Sequence, residues 1–281
     1  MKIVVFGAQG FIGSHLCTLY PGAVAPTGDI ADPVFVREVL DREKPDIVIN
    51  AAGKTGKPNV DWCEDHKEET LRANVTGPLV LLEETQKRGI YFVHVGSGCI
   101  YDGDAGGKGF SEDDAPNFTG SFYSLTKAMS DQLLKPFPVL QLRLRMPFDR
   151  TPSARNLISK LIKYTKVLDE VNSLTYIPDF FVVLEGLIKK RATGIYNVVN
   201  PGAMSPYTIM EMYKKTIDPS HTFERITAKD LSGVTKAPRS NCILSTKKLE
   251  AEGFTLRPVE QAVAEALAEL SRLSVAAPAR P

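Results

Sequence analysis

An α/β fold, with helices on both faces of a parallel sheet and a smaller lobe behind it, is predicted by two observations. Short, continuously apolar runs alternate with helix-length segments, and the first run passes into a glycine-rich turn that opens a helix. The runs are Ile3–Phe6, Asp46–Asn50, Tyr91–Val95 and Val139–Leu144, each bounded by turn residues. A strand that is apolar throughout, rather than alternating, belongs in a sheet covered on both sides. Helices are expected between and after the runs, at Phe11–Tyr20, Pro33–Glu43, Glu64–Gly89 and Phe122–Leu134. Past about residue 147 the alternation loosens. Helices near Ser153–Tyr164, Phe181–Lys190, Ser205–Thr216 and Val259–Leu273 are then joined by short strands such as Gly194–Val199. The expected division is a first domain over 1–147 with roughly 172–193, and a second lobe over 148–171 and 194–274. Residues 275–281, Val275-Ala-Ala-Pro-Ala-Arg-Pro281, read as a disordered tail.

Bulk properties exclude several classes. The 281 residues carry 34 basic and 33 acidic side chains, spread without a basic stripe, so nucleic acid and membrane are not expected partners. No apolar segment approaches the roughly 20 residues that span a bilayer. The first residues enter a strand directly, without a charged leader and apolar run, and a cytoplasmic location is expected. Cys17, Cys63, Cys99 and Cys242 lie far apart without metal-ligand spacing, so no metal is expected. His66, His94 and His221 sit in ordinary helix, strand and loop contexts and read as structural.

The opening Met-Lys-Ile-Val-Val-Phe-Gly7-Ala-Gln-Gly10-Phe-Ile-Gly13 is a strand, a G-x-x-G-x-x-G turn and a helix. Gly7 allows the tight turn, Gly10 lets the backbone approach a pyrophosphate, and Gly13 lets helix and strand pack closely. The helix N-terminus offers free N–H groups to phosphate. This is a Rossmann-type, doubly wound nucleotide site. The end of the second strand, Ala23-Val-Ala-Pro-Thr-Gly-Asp29, has neither a carboxylate to repel a 2′-phosphate nor an arginine to grip one. NADP(H) is therefore expected, or tolerance of both NADP(H) and NAD(H). Asp29 and Ile30 are expected near the adenine, and Asn50, Ala51 and Ala52 along the cofactor.

Tyr123 and Lys127 stand at helical i, i+4 spacing, so both side chains share one face. An ammonium beside a phenol lowers the phenol's pKa from about 10 and makes a proton donor for carbonyl–alcohol chemistry.

In order and spacing, Gly7, Gly10, Gly13, Asn50-Ala-Ala-Gly53, Asn74, Ser97 and the Tyr123/Lys127 pair resemble the extended short-chain dehydrogenase/reductase superfamily. Longer stretches are similar to its nucleotide-rhamnose epimerase-reductase family. These are Lys57-Pro-Asn-Val-Asp-Trp-Cys-Glu64, Gly96-Ser-Gly-Cys-Ile100, Pro116-Asn-Phe-Thr-Gly-Ser-Phe-Tyr123, Arg143-Leu-Arg-Met-Pro147, Asn200-Pro-Gly202, Glu211-Met-Tyr-Lys-Lys215 and Ala237-Pro-Arg-Ser-Asn241. They run from near residue 5 to about 270. One departure is Ser97, where plant members carry threonine; the hydroxyl is kept.

The resemblance implies a bifunctional 3,5-epimerase/4-reductase that converts UDP-4-keto-6-deoxyglucose to UDP-L-rhamnose with NADPH. The second lobe would then bind the nucleotide sugar. It implies that Tyr123 donates a proton to the carbon-4 oxygen, Lys127 binds the nicotinamide ribose and Ser97 orients the carbonyl. It places Cys99 and Lys160 at the proton transfers on carbons 3 and 5. It also puts Gln9, Phe11, Ile12, Asn74 and Met146 on the cofactor. Arg239 is a candidate diphosphate ligand, because guanidinium suits bidentate phosphate contact, with Asn156 and Lys236 as further substrate-binding candidates. A reductase acting alone, similar to dTDP-4-dehydrorhamnose reductase, is the nearest rival; GDP-fucose synthase and a non-catalytic regulatory subunit are more distant ones. The base, uracil or thymine, is not legible. The helices expected at Glu64–Gly89 and Phe122–Leu134 lie where the superfamily often dimerises, so a homodimer is expected.

Overall fold

A computed structural model describes residues 1–57, 59–231 and 235–276. Pro58 of the Lys57–Glu64 stretch and residues 277–281 of the expected tail lie outside the described residues, whereas 275 and 276 belong to the last helix.

Strands β1 (Ile3–Phe6), β2 (Ile47–Asn50), β3 (Tyr91–Ser97), β4 (Leu140–Leu144), β5 (Lys166–Leu168), β6 (Gly194–Asn197) and β7 (Glu224–Ile226) form two parallel sheets. The main one has the order β1-β2-β3-β4-β6, with Val5, Ile49 and Val93 in register across it. The other pairs β5 with β7. On the free side of β1 a single parallel bridge joins Val4 to Val24. The chain thus leaves β1 on one side and returns on the other, which opens a crevice at the carboxyl end of β1.

The helices are α1 (Phe11–Leu19), α2 (Pro33–Glu43), α3 (Trp62–Asp65), α4 (Lys67–Leu71), α5 (Gly77–Lys87), α6 (Phe122–Leu134), α7 (Leu157–Leu161), α8 (Ile177–Lys189), α9 (Pro206–Thr216), α10 (Lys247–Ala251) and α11 (Val259–Ala276). Alternate strand residues serve the two faces. Ile3, Val5, Ile47, Ile49 and Leu142 pack with Leu16 of α1 and with Phe180, Val183, Leu184 and Leu187 of α8. Val4, Phe6, Val48 and Phe92 pack with Val36, Val39 and Leu40 of α2 and Leu81 of α5. A separate cluster, Ile158, Leu161, Val167, Ile209, Met210, Val263, Ala266 and Leu267 among others, forms the smaller lobe. No helix among the described residues is long and apolar enough to cross a membrane.

Three expectations are corrected here. The strand at 194–199, expected in the second lobe, is β6 and closes the main sheet beside β4, because its Ile195 and Tyr196 are buried against the sheet's own layers. The single helix expected at Glu64–Gly89 is broken at His66, whose backbone leaves the helical region, and it widens into a π turn at Arg72–Thr76. The helix near Ser153–Tyr164 shrinks to α7, which starts only at the Asn156 cap.

Gly7 and Gly13 are required by contact. Gly7 has φ of 80°, and a Cβ there would lie 2.3 Å from the Ala52 nitrogen; at Gly13 it would lie 2.0 Å from the Gly7 carbonyl oxygen. Backbone cannot yield as a flexible side chain does. Gly13→Ala is expected to cost about 3 kcal/mol or prevent folding. A denaturant midpoint equal to wild type would refute the close-packing account.

Candidate active site

The glycine turn, Asn50–Ala52, Ser97 with Cys99, and Met146 lie at the carboxyl ends of β1, β2, β3 and β4, whereas Asn156 and Lys160 lie at α7 and Lys236 and Arg239 in the segment before α10. The turn after β1 backs directly on Ala51 and Ala52, which follow β2. Asn50 is fully buried, and its side chain shapes that turn: Oδ1 accepts from the Ala52 N–H at 3.0 Å, while Nδ2 lies 3.1 Å from His94 Nδ1. Burial holds His94 well below its ordinary pKa, with the Lys127 charge acting in the same direction, so it is a neutral structural histidine. Ile30 is buried with the apolar residues of α2 and α5. Phe11 and Ile12 pack partly on the main core. The Gln9 carbonyl accepts a hydrogen bond from Arg155 of the smaller lobe. Asn74, in the π turn, is nearly fully buried. It accepts from the Lys54 N–H at 2.8 Å and donates to the Lys54 carbonyl at 3.0 Å and to Thr126 Oγ1 at 3.1 Å. It therefore ties the loop after β2 to α6, a π-turn use of the kind that recurs at functional sites.

Helix α6 begins at Ser121, whose hydroxyl accepts from the Ser124 N–H and caps it. Tyr123 and Lys127 then fall one turn apart, and both are buried. The far half of α6 is fixed by a buried bidentate pair, Arg143 to Asp131 at 2.7 and 2.8 Å. The expected lowering of the phenol's pKa is not found. Burial pushes Tyr123 above its ordinary value and the Cys99 thiol adds to the rise, while a hydrogen bond with Ser97 and the charge of Arg145 oppose it. Lys127 turns its Nζ to the Val95 carbonyl at 3.5 Å, and burial pulls its pKa down to about 8. A phenol that keeps its proton is the form that donates one, so the arrangement suits a general acid.

Ser97 ends β3, and its Oγ accepts from the Cys99 N–H at 3.1 Å. Cys99 is half-buried, and its Sγ accepts from Arg145 Nη1 at 2.6 Å. Met146, next in the chain, has φ of 40° although it precedes a proline, a position normally driven to extended backbone. Such strain costs about 1–3 kcal/mol and collects at functional sites. Lys160, on α7, is half-buried with no side-chain hydrogen bond or ion pair among the described residues, and burial lowers its pKa. The structure does not bring it into contact with Cys99.

A family model of the RmlD substrate binding domain matches residues 1–272. The chain belongs to the RmlD family. Among its relatives is a bifunctional dTDP-4-dehydrorhamnose 3,5-epimerase/dTDP-4-dehydrorhamnose reductase of Arabidopsis thaliana, 40% identical over 93% of this chain and 91% of that one. A trifunctional UDP-glucose 4,6-dehydratase/UDP-4-keto-6-deoxy-D-glucose 3,5-epimerase/UDP-4-keto-L-rhamnose-reductase of the same plant is 38% identical over 94% of this chain, which spans only 41% of that protein's length. The crystal structure of a UDP-rhamnose synthase from Acanthamoeba polyphaga mimivirus superposes with a TM-score of 0.91 at 31% identity, covering 96% and 99% of the two chains.

Within this RmlD-family site, some substrate and cofactor candidates take other places. Asn156 is fully buried, and its side chain is spent on the protein: Oδ1 caps α7 at the Ile158 N–H, and Nδ2 donates to the carbonyls of Asp149 and Thr151. Those bonds make it the N-terminal cap of α7. Lys236 pairs with Asp65, and Arg239 pairs with Asp61 at 2.8 Å, across the gap between the smaller lobe and the α3 segment. Asp29 is bound by Arg72 at 2.6 Å. The strand end thus does meet an arginine, delivered from a segment 43 residues away. Arg145 was missed as well. It lay inside a stretch that was legible, but only packing shows that its guanidinium reaches Cys99.

Proposed function

We propose that this RmlD-family chain is a bifunctional enzyme that inverts carbons 3 and 5 of UDP-4-keto-6-deoxyglucose and reduces carbon 4, giving UDP-L-rhamnose. The observation that carries the epimerase half is the Cys99 thiol, two residues beyond Ser97 and close enough to Tyr123 to perturb the phenol. A reductase acting alone has no use for it. The relatives' names, which pair epimerase with reductase, support the same reading.

The residues fit a dinucleotide. Gly7 and Gly13 let the turn close against Ala52 and the helix against the turn, and at Gly10 an added Cβ would meet only the Gly7 and Ala51 carbonyl oxygens, at 3.1 and 3.8 Å, which leaves the backbone open to a pyrophosphate. The backbone of Gly7–Gly13, the Asn50–Ala52 turn, Asp29, Tyr123 and Lys127 would hold it. When bound, the reduced nicotinamide supplies the hydride for carbon 4. Tyr123 would give its proton to the carbon-4 oxygen, with Ser97 orienting that oxygen and the Lys127 ammonium favouring the phenolate left behind. Earlier, the carbon-4 ketone acidifies the neighbouring C–H bonds. Cys99 and Lys160 on opposite faces of the sugar would remove and return those protons. Lys236 and Arg239 would exchange their aspartates for the diphosphate.

The test is to incubate the chain with the UDP-linked and the dTDP-linked keto sugar, each with NADPH or NADH, and to identify products by NMR. The UDP sugar is expected to give the L-rhamno product, faster with NADPH than with NADH, because Arg72 stands at the adenosine end beside Asp29. No product from either sugar would overturn the reading, and faster turnover with NADH would overturn the cofactor assignment. A cytoplasmic homodimer belongs to the same proposal, since Met129 and Leu133 are exposed on α6 and Phe137 just beyond it. A single-chain mass in light scattering would refute the dimer.

A further inference from the structure

Two arginines, two residues apart, stand in and just after β4, and among the described residues only Arg143 has a carboxylate partner. Arg143 is fully buried and bidentate on Asp131. Arg145 is 4% exposed, yet its acceptors are Asn172 Oδ1, the Ser240 carbonyl and Cys99 Sγ. Two of these are neutral. A guanidinium does not lose its proton in a protein, and a buried cation left without an anion is costly. Asn172 is itself fixed, donating to the Glu170 carbonyl at 3.0 Å and to Asn241 Oδ1 at 3.1 Å. With Nε and Nη2 anchored there and on Ser240, the rigid fork presents Nη1 to the sulfur at 2.6 Å.

We infer that Arg145 is a positioning residue that holds Cys99 as a thiolate, the base of the epimerisation. This rests on the epimerase reading above. The other titratable groups facing the thiol are Tyr123 and Lys127 of α6 and Cys242 of the segment before α10. Lys127 adds to the positive field. Tyr123 keeps its proton, and burial pushes the Cys242 thiol up to about 11, so neither supplies the missing anion at neutral pH. In the step, the C–H bond next to the ketone breaks and an S–H bond forms. The electron pair becomes the carbon–carbon double bond of an enolate, with its charge on the carbon-4 oxygen. A proton from the Lys160 ammonium then adds to the opposite face, and the resulting thiol and amine re-equilibrate with solvent.

The test needs no sugar. The rate of Cys99 alkylation by iodoacetamide is followed against pH in the full chain by peptide mass spectrometry, with Cys17 as internal reference. Arg145→Met is expected to lower the Cys99 rate at neutral pH by about tenfold or more, with recovery at alkaline pH. Arg145→Lys keeps the cation and should stay nearer to wild type. Asn172→Asp keeps the arginine but gives it a carboxylate, and should also lower the rate, which decides the matter if Arg145→Met fails to fold. Unchanged Cys99 profiles in Arg145→Met and Asn172→Asp would overturn the inference. Deuterium exchange into the keto sugar separates the two levels. Exchange lost in Cys99→Ser, with the alkylation profile of Arg145→Met unaltered, removes Arg145's role and keeps the epimerase. Exchange intact in Cys99→Ser removes both.

Discussion

Cys99→Ser is expected to cut deuterium exchange at carbons 3 and 5 of the keto sugar by about a hundred- to ten-thousandfold, the usual worth of a positioned acid or base. Serine keeps the size and the backbone hydrogen bond to Ser97 but replaces a group of pKa about 8.5 with one far too weakly acidic to ionise near neutrality. Reduction of a sugar already epimerised should survive, because Ser97, Tyr123 and Lys127 are untouched, and that second measurement excludes misfolding. Lys160→Met should give the same pattern through the other face. Wild-type exchange in Cys99→Ser would leave a reductase acting alone as the better description.

Tyr123→Phe is expected to slow reduction by a similar factor while leaving NADPH affinity nearly intact. The phenol is the proposed proton donor, and its removal disturbs neither the glycine turn nor the Asn74 link to Thr126. Exchange at carbons 3 and 5 should continue in this variant, the mirror image of the Cys99→Ser result. Lys127→Ala should lose turnover and part of the cofactor affinity together, since the proposal gives its ammonium both tasks. Oxidation of NADPH by Tyr123→Phe at near the wild-type rate would end the assignment.

The residues that meet through neighbouring sequence were readable in advance. The glycine turn joins a strand directly to the helix it feeds, so Gly7, Gly10 and Gly13 announce it. Tyr123 and Lys127 share a face because a helix repeats every 3.6 residues. The four parallel strands are rich in apolar residues and buried because both faces are covered. Cys99 and Lys160 were legible through family resemblance alone, since neither spacing nor periodicity distinguishes a buried thiol or a helix lysine that reacts from one that does not.

What the sequence by itself determined is therefore the doubly wound sheet, the nucleotide turn and the hydroxyl–tyrosine–lysine set. Tertiary structure alone decided the electrostatics. Arg145 meets Cys99 across 46 residues, Arg72 reaches Asp29 across 43, and Arg239 finds Asp61 across 178. It likewise put β6 into the main sheet and turned Asn156 inward as a cap. It also raised the Tyr123 phenol where the neighbouring lysine alone would have lowered it. The reason is common to all of these: helical and strand periodicities act over a few residues, whereas burial and Coulomb interactions depend on distances that only the packed chain sets.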